Sequence, residues 1–190
     1  MITYTGSKYE NFDNLISAIK EGDPNIKVGW QGVGNILSMH QLSEKADSKK
    51  EVLMVPYKSS VDSGKDVYGK HIPLALMPLN TAKPLADSGN VKIVFGFGPG
   101  NIMPGDVLDI KKRFPNWKHS ELFFIGIAPG TDEAIIKSWS IILKDWVDLK
   151  ETEEYFRKIY FGKDVGGPKY VQEVIEYQGA SLKRYNLLDK

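Results

Sequence analysis

Residues 27–58, KVGWQGVGNILSMHQLSEKADSKKEVLMVPYK, decide how this chain folds. A strand-like run, Lys27–Trp30, leads into a glycine turn, a polar helix containing His40 follows, and a second strand-like run ends at Lys58. A glycine pair at a strand-to-helix turn leaves backbone N–H groups free to meet an anion, helped by the positive end of the helix dipole. The same turn also serves as a plain connection in α/β folds, so by itself it is a weak sign of function.

Strands and helices are predicted to alternate on both sides of this stretch. Apolar residues at helical spacing predict a first helix over Phe12 to Ile19, which ends at the turn beginning with Gly22. Strands are predicted at Ile26 to Trp30, Glu51 to Tyr57, Ile72 to Met77, Val91 to Phe95 and Glu121 to Ala128. Further helices are predicted at Asn35 to Ala46, Ser60 to Tyr68, Thr81 to Ser88 and Gly105 to Arg113. This alternation predicts an α/β core of about five mostly parallel strands, covered by helices on both faces.

The pattern changes from Asp132 onward, where no further strand is predicted. Thr131 or Asp132 is expected to cap a helix whose apolar stripe comprises Ala134, Ile135, Trp139, Ile142, Leu143 and Trp146. Helices are also expected over Glu151 to Tyr160 and Pro168 to Leu187, separated by the glycine-bearing residues 162–167. The expected organisation is therefore an α/β lobe over residues 1–131 and a helical segment over residues 132–190. The apolar faces of that segment must pack on the lobe or on a partner.

The composition is that of a soluble globular protein and excludes several kinds of site. Of the 190 residues, 42% are hydrophobic and 26% are charged, and the net charge is +1. A charge so close to zero provides no long-range field for attracting nucleic acid or a membrane surface. The absence of cysteine excludes disulfides and thiolate metal sites. Residues 1–8 lack the apolar run of a signal peptide, and no segment reaches the roughly 18 apolar residues of a membrane span.

Catalysis is not expected. The three histidines, His40, His71 and His119, fall on different predicted elements and show no metal-binding spacing. Ser59 and Ser60 do not lie in a GxSxG motif, and no base and orienting acid can be matched to either of them. We therefore expect a protein that is not an enzyme and that holds neither a metal nor a cofactor.

Nucleotide and nucleic-acid binding are not expected either. The run Gly96–Gly100 resembles a dinucleotide-binding loop, but it contains Pro99 and lacks a third glycine at the required interval. The basic cluster Lys111–Arg113 contains three residues, and such clusters are usually solvated faces of helices. A protein that binds RNA or DNA normally has a broader basic surface.

Five short motifs in one order resemble a known family. They are Gly32-Val33-Gly34 followed by His40; Val55-Pro56-Tyr57-Lys58; Pro84-Leu85 with Ser88-Gly89; Ala128-Pro129-Gly130-Thr131 before a long helix; and a glycine-bearing linker before a closing helix. In this order and spacing the chain is similar to the second half of the solute receptors of tripartite tricarboxylate transporters, the Bug or TctC-like periplasmic binding proteins. The resemblance implies a lobe of the type II periplasmic-binding-protein kind. Roughly the first hundred residues of the family, which form the first lobe, have no counterpart here.

The same resemblance implies a function and a site. Members of the family capture small di- or tricarboxylates or acidic amino acids in the periplasm or at the cell surface and deliver them to membrane permease subunits. The ligand-binding residues implied by the resemblance are Gly32, Val33, Gly34 and Asn35, which would donate backbone hydrogen bonds to the ligand. Their positions add five further candidates: Gln31 just before the turn, Tyr57 and Lys58 at the end of the strand beside it, and Asn80 and Thr81 after the next strand. His40 and Phe97 are expected to be packing residues. Because one lobe holds an anion from one side only, we expect binding by this chain to be no tighter than about millimolar.

Four positions depart from the family pattern, and an alternative function stays open. Asn35 stands where a small hydroxyl residue is common, Ser59 where glycine is usual, Pro73 where an acidic residue is frequent, and Asp132 where proline is common. A divergent or truncated relative would keep the fold without the ligand and act in protein interaction or self-association. The working surface would then be the aromatic side chains of the helical segment: Trp139, Trp146, Tyr155, Phe156 and Tyr160.

Overall fold

The chain forms two compact units. The computed structural model describes residues 1–97, 103–118, 123–162 and 166–187. The first unit is Met1–Glu121 and the second is Leu122–Lys190. His119, most of the Gly96–Gly100 run, the first two residues of the strand predicted at 121–128 and residues 163–165 of the glycine-bearing linker lie outside the described residues.

The first unit alternates strands with helices. Its strands are β1 (Ile2–Tyr4), β2 (Lys27–Trp30), β3 (Leu53–Pro56), β4 (Leu74–Ala75) and β5 (Val91–Ile93). Its helices are α1 (Phe12–Glu21), α2 (Val33–Lys45), α3 (Ser60–Tyr68) and α4 (Leu79–Asp87), and a short 3₁₀ helix follows at Ile110–Lys112. Each of the four α-helices lies within two residues of the boundaries predicted from apolar spacing.

The five strands form one mixed sheet in the order β3-β2-β4-β1-β5. Strand β2 pairs in parallel with β3 and β4, so that Gly29 lies opposite Val55 on one side and Ala75 on the other. Strand β1 runs antiparallel to both β4 and β5. Four of the five strands therefore point in one direction, which confirms the predicted mostly parallel sheet.

Helices cover both faces of the sheet. Successive strand residues point to opposite faces, and in β4 Leu74 enters one apolar cluster while Ala75 enters the other. The first cluster includes Leu15 from α1 and Leu42 from α2, both fully buried. The second cluster includes residues of α3 and α4, among them the fully buried Val67. Burying a side chain of this size stabilises the fold by about 1.5–3 kcal/mol, so the two clusters hold the sheet from both sides.

Three predictions in this unit were wrong. The first strand, β1, went unrecognised because three residues are too few to show alternation. The predicted helix over Gly105 to Arg113 is only the 3₁₀ turn Ile110–Lys112, which Asp109 caps by accepting a bond from the Lys111 N–H. The predicted strand at Glu121 to Ala128 is not a strand over 123–128, where the chain has no regular secondary structure and is exposed. Its apolar run imitates a buried strand, but an apolar run forms a strand only where a neighbouring strand edge is available.

The second unit contains three helices: α5 (Glu133–Asp148), α6 (Lys150–Lys158) and α7 (Pro168–Arg184). Asp132 caps α5, as expected, by accepting a 2.7 Å hydrogen bond from the Ala134 N–H. Among its described residues, only Val147, Thr152 and Ser181 are buried. Within the described ranges of the whole chain, no helix combines the length and apolar character needed to cross a membrane.

Candidate functional site

The carboxyl ends of three parallel strands meet at one edge of the sheet. The Tyr57 N–H donates to the Trp30 carbonyl and the Leu76 N–H donates to the Gly29 carbonyl, both at 2.9 Å, so the segments that follow β2, β3 and β4 start side by side. Each segment leads directly into a helix: α2, α3 and α4 respectively. The N-termini of three helices therefore begin along this edge, which is where open α/β sheets bind ligands.

The turn between β2 and α2 exposes backbone donors. Gly32 is the N-cap of α2, with φ 82° and ψ 151°, a conformation that is essentially restricted to glycine. It provides no side chain to cap the helix, and its carbonyl accepts the Asn35 N–H at 3.2 Å. Within the described residues, the N–H groups of Val33 and Gly34 donate to no protein acceptor. These two donors, on an exposed and a half-buried residue, are available to an anion.

The electrostatics of the edge favour a negative ligand. The first turns of α2 and α4 contain no acidic residue, so nothing from their own sequence neutralises the positive end of either helix dipole. The first turn of α3 carries Asp62. Among the described residues, no group of three or more histidines and carboxylates is placed to hold a metal ion. The edge therefore matches an anion better than a cation.

Gln31 joins two of the three segments. Its side-chain Nε2 donates to the Lys58 carbonyl at 3.1 Å, and its Oε1 accepts the Ser60 N–H at 3.0 Å. The second bond satisfies one of the free N–H groups in the first turn of α3. The side-chain amide of Gln31, which was predicted to be a ligand donor, thus links the glycine turn to the segment after β3 by two hydrogen bonds.

Asn35 also stabilises the glycine turn through its side chain. Its side chain is buried, and its Nδ2 donates to the Gln31 carbonyl at 2.7 Å. One turn later the Ser38 hydroxyl donates to the Gly34 carbonyl at 2.7 Å. The side chain of Asn35 therefore fixes the shape of the glycine turn from within, and its backbone N–H is already used by Gly32.

The other departures from the family pattern also have structural roles in this chain. The Ser59 Oγ caps α3 by accepting the Asp62 N–H at 3.1 Å, and it donates to the Asp62 carboxylate at 2.7 Å. The Pro73 carbonyl accepts the Thr3 hydroxyl at 2.7 Å, which ties the approach to β4 to β1. Asp132 caps α5.

Tyr57 and Lys58, although adjacent in sequence, have different surroundings. The Tyr57 hydroxyl donates to the Asp66 carboxylate at 2.6 Å, and its ring packs against the apolar cluster beneath α3 and α4. Burial, and next the bond to Asp66, raises the pKa of Tyr57 to about 12. Lys58 is exposed and forms no ion pair within the described residues. Tyr57 is therefore a packing residue at this edge, whereas Lys58 leaves a positive charge beside the glycine turn.

The remaining predicted residues lie on α4 and in the core. Asn80 and Thr81 are in the first turn of α4, where Asn80 is exposed and the Thr81 N–H donates to the Pro78 carbonyl at 3.1 Å. His40 lies two turns into α2 and is half-buried. Phe97 packs on the core, with ring centroids 5.8 Å from Trp117, as expected for a packing residue.

The residues at this edge that the sequence reading missed are Ser59 and Trp30. Ser59 had a recognisable signal, since a serine three residues before an acidic residue is typical of a helix start. Trp30 ends β2, and its Nε1 is enclosed without a hydrogen-bond partner in the described part of the chain. Nothing in the sequence marks that indole nitrogen as unpaired.

No protein-family model matches this chain, and no curated protein sequence matches it. Solved structures do match. R. palustris Rpa4515 with adipate has a TM-score of 0.77 at 18% identity, over 97% of this chain and 62% of that one. The periplasmic binding protein BugD has a TM-score of 0.69 at 18% identity, over 98% of this chain and 65% of that one. A periplasmic transporter has a TM-score of 0.69 at 14% identity, over 97% of this chain and 63% of that one.

At these sequence identities, the similarity to the three structures establishes the fold of this chain. The fold that the sequence resemblance implied, that of Bug-type periplasmic binding proteins, is thereby confirmed. The chain spans somewhat less than two thirds of the length of each of the three structures, between 62% and 65%.

Proposed function

We propose that this chain is a solute-binding lobe that holds a small organic carboxylate at the carboxyl edge of its sheet. The supporting observation is the first turn of α2, where the N–H groups of Val33 and Gly34 are unused at a helix end without a neutralising acid. Backbone donors at such a position form short, strong bonds to a carboxylate. The similar structure that contains adipate, a dicarboxylate, adds weight to this ligand class.

In this proposal each residue of the edge has a distinct role. Val33 and Gly34 donate to one carboxylate of the ligand, Lys58 provides a compensating positive charge, and Asn80 contributes from the first turn of α4. Gln31 and Asn35 act indirectly, since they hold the glycine turn in shape. The chain would serve in the periplasm or at the cell surface and pass its ligand to membrane permease subunits of the tripartite tricarboxylate type. No chemical step is involved, so the protein is not an enzyme.

The ligand screen that tests this uses thermal unfolding of the purified chain with di- and tricarboxylates and acidic amino acids at about 10 mM. With a dissociation constant of about 1 mM, a ligand at ten times that concentration stabilises the folded state by roughly 1.4 kcal/mol. For a chain of this size we expect a rise in Tm of about 3–6 °C with one class of acid. A flat response across the whole panel would contradict the proposal.

Two substitutions locate the binding site. Gly34→Val places a branched side chain over the donors of the first turn and should abolish the ligand-induced rise in Tm. Lys58→Gln should weaken binding about threefold to tenfold because it removes the adjacent charge. Lys27→Gln is the matched control, since Lys27 is an exposed lysine at the opposite end of β2. If Lys27→Gln weakens binding as much as Lys58→Gln does, the attraction is not local to the carboxyl edge.

A further inference from the structure

The indole nitrogen of Trp30 is enclosed in the fold without a hydrogen-bond partner. Across the described residues, it is the single enclosed side-chain nitrogen or oxygen that lacks one. A donor that is taken out of water and finds no acceptor destabilises the folded state, and folded proteins pair almost all of their buried polar atoms. The unpaired N–H of Trp30 therefore needs a physical explanation.

Trp30 lies directly before the turn that carries the free backbone donors. It is the last residue of β2, and Val33 and Gly34 come three and four positions later. The Trp30 carbonyl accepts the Tyr57 N–H at 2.9 Å, which fixes this backbone at the carboxyl edge of the sheet. The Trp30 side chain thus starts from the same edge as the proposed carboxylate site.

The side chain of Trp30 is on the face of the sheet that α2 covers. Alternate residues of a strand share a face, and Val28, two residues earlier in β2, belongs to the apolar cluster that includes Leu42 of α2. Trp30 as a whole is only half-buried, although its Nε1 is enclosed. Trp30 therefore lies at the boundary between the interior beneath α2 and the surface at the carboxyl edge.

The glycine turn is held together without the Trp30 N–H. Asn35 and Ser38, in the first two turns of α2, are each 2% exposed. The Asn35 Nδ2 donates to the Gln31 carbonyl and the Ser38 hydroxyl donates to the Gly34 carbonyl, each at 2.7 Å. The Trp30 N–H is thus a spare donor next to a turn that other side chains stabilise.

We propose that Trp30 is a specificity-determining donor of the carboxylate site. The backbone N–H groups of Val33 and Gly34 donate to one oxygen of the ligand carboxylate, and the indole ring turns about its χ2 angle so that its N–H donates to the other oxygen. A carboxylate has the acceptor capacity for this, since its two oxygens offer about four lone-pair positions. Trp30 has this role only if the chain binds a carboxylate as proposed above.

The ligand provides the free energy that turns the ring. In the free chain, packing of the ring opposes the rotation, because protein interiors are close-packed. A carboxylate oxygen forms a charge-assisted bond with the indole N–H, which is shorter and roughly twice as strong as a bond between neutral groups. A ligand shifts a conformational equilibrium only through its differential affinity for the two states. Trp30 therefore favours a carboxylate over a neutral amide of the same length.

Heteronuclear NMR of the isotope-labelled chain observes this hydrogen bond directly. The chain has four tryptophans and thus four indole N–H cross-peaks, of which Trp30→Phe removes the one that belongs to Trp30. The probes are adipate, citrate and glutamate, one from each class of acid in the thermal screen. We expect the probe that raises the Tm most to move the Trp30 indole proton downfield, and further than the other indole protons, because charge-assisted bonds are short. Adipamide, the neutral diamide of adipate, should leave that proton in place.

The same variant measures what the donor contributes to binding. Trp30→Phe keeps an aromatic ring and removes the N–H, and it should weaken binding of that probe at least about tenfold, the effect of losing one hydrogen bond to a charged group. The matched control is Trp117→Phe, the same change in the other tryptophan of the first unit. Trp117 is buried, and its ring packs at 5.8 Å on Phe97, which follows the edge strand β5. This control should lower the Tm and leave the affinity for the probe unchanged.

Three results would overturn the role of Trp30 and leave the proposed function standing. A Trp30→Phe chain with wild-type affinity shows that the N–H does not reach the ligand. A Trp30 cross-peak that stays in place while the probe raises the Tm shows the same. An equal loss of affinity in Trp30→Phe and Trp117→Phe shows a general effect of core packing. If no acid in the panel raises the Tm of the wild-type chain, the carboxylate-binding function fails, and the role of Trp30 fails with it.

Discussion

The two units of this chain differ in how much of their apolar surface they bury. In the first unit, two clusters enclose both faces of the sheet, and side chains such as Leu15, Leu37 and Leu74 have no exposed surface. In the second unit, α5 leaves five of its large apolar side chains about half exposed, and Val147 is the single buried apolar residue among those described. The helices of both units are amphipathic. What differs is that the first unit contains a sheet that receives these apolar faces, whereas the described residues of the second unit form no strand.

This difference indicates where the free energy of folding resides. The first unit provides its own core and therefore a fixed edge on which the three helix N-termini are held, as a binding site requires. Among its described residues the second unit buries only Val147, Thr152 and Ser181, so less of its stability comes from an enclosed apolar core. Under this view the binding edge depends on the packing of the first unit, so substitutions on the exposed side of α5 leave the fold of the first unit unchanged.

The sharpest test removes equal apolar volume from each unit. Leu15→Ala empties a fully buried site between α1 and the sheet and should lower the free energy of unfolding by about 2–5 kcal/mol. Ile141→Ala removes a half-exposed side chain of α5 and should change the free energy of unfolding by no more than about 0.5 kcal/mol. Urea unfolding followed by circular dichroism measures both. Similar losses for the two variants would show that the second unit has a core after all.

The sequence predicted the first unit well because its elements carry periodic signals. Helix α3 was predicted with its observed boundaries, Ser60–Tyr68, and the structure shows Ser59 and Gly69 as its N-cap and C-cap. The strand β1 gave no such signal. The run at 123–128 gave a false one, because strand propensity is a local property whereas strand formation requires a free neighbouring edge.

For the candidate site, the sequence predicted which segments lie together but not which hydrogen bonds their side chains form. The glycine turn and the end of β3 were correctly expected to lie side by side, because both follow parallel neighbouring strands. The side-chain roles of Gln31 and Asn35 could not be predicted, since each depends on a hydrogen bond whose partner is set by the packing of neighbouring segments. A side-chain amide is equally suited to a ligand or to the backbone, so sequence alone does not decide between these roles.

A second test compares two glycines of equal φ, one in each unit. Gly32 and Gly130 both have φ +82°, and a Cβ added to either would meet no atom within 4 Å. Alanine therefore introduces backbone strain without a clash, worth about 1–3 kcal/mol. Gly32→Ala should lower the Tm of the main transition and weaken carboxylate binding, because the turn is part of the folded core. Gly130→Ala should leave both unchanged. A main transition shifted equally by both variants would mean that the two units unfold as one.

The smallest effect comes from two tyrosines of the first unit, the buried Tyr9 and the half-buried Tyr57, and it appears only at alkaline pH. The pKa of each tyrosine is raised to about 12. The main cause is burial of the phenol, and the second is its hydrogen bond to a carboxylate, that of Asp66 for Tyr57 and that of Asp23 for Tyr9. The unfolded chain ionises its tyrosines near pH 10, so the stabilisation is complete below pH 10 and is lost as the pH rises to 12.

We expect the unfolding free energy of the first unit to fall on the order of 1 kcal/mol per pH unit for each of these tyrosines across that window. Tyr57→Phe should reduce this slope by about half, because one of the two groups no longer titrates. At pH 7 the same variant should lose only about 1 kcal/mol, the net value of one hydrogen bond. An unchanged slope between pH 10 and 12 would show that the Tyr57 hydroxyl is accessible to water, and the packed edge beneath the glycine turn would then be more open than its contacts indicate.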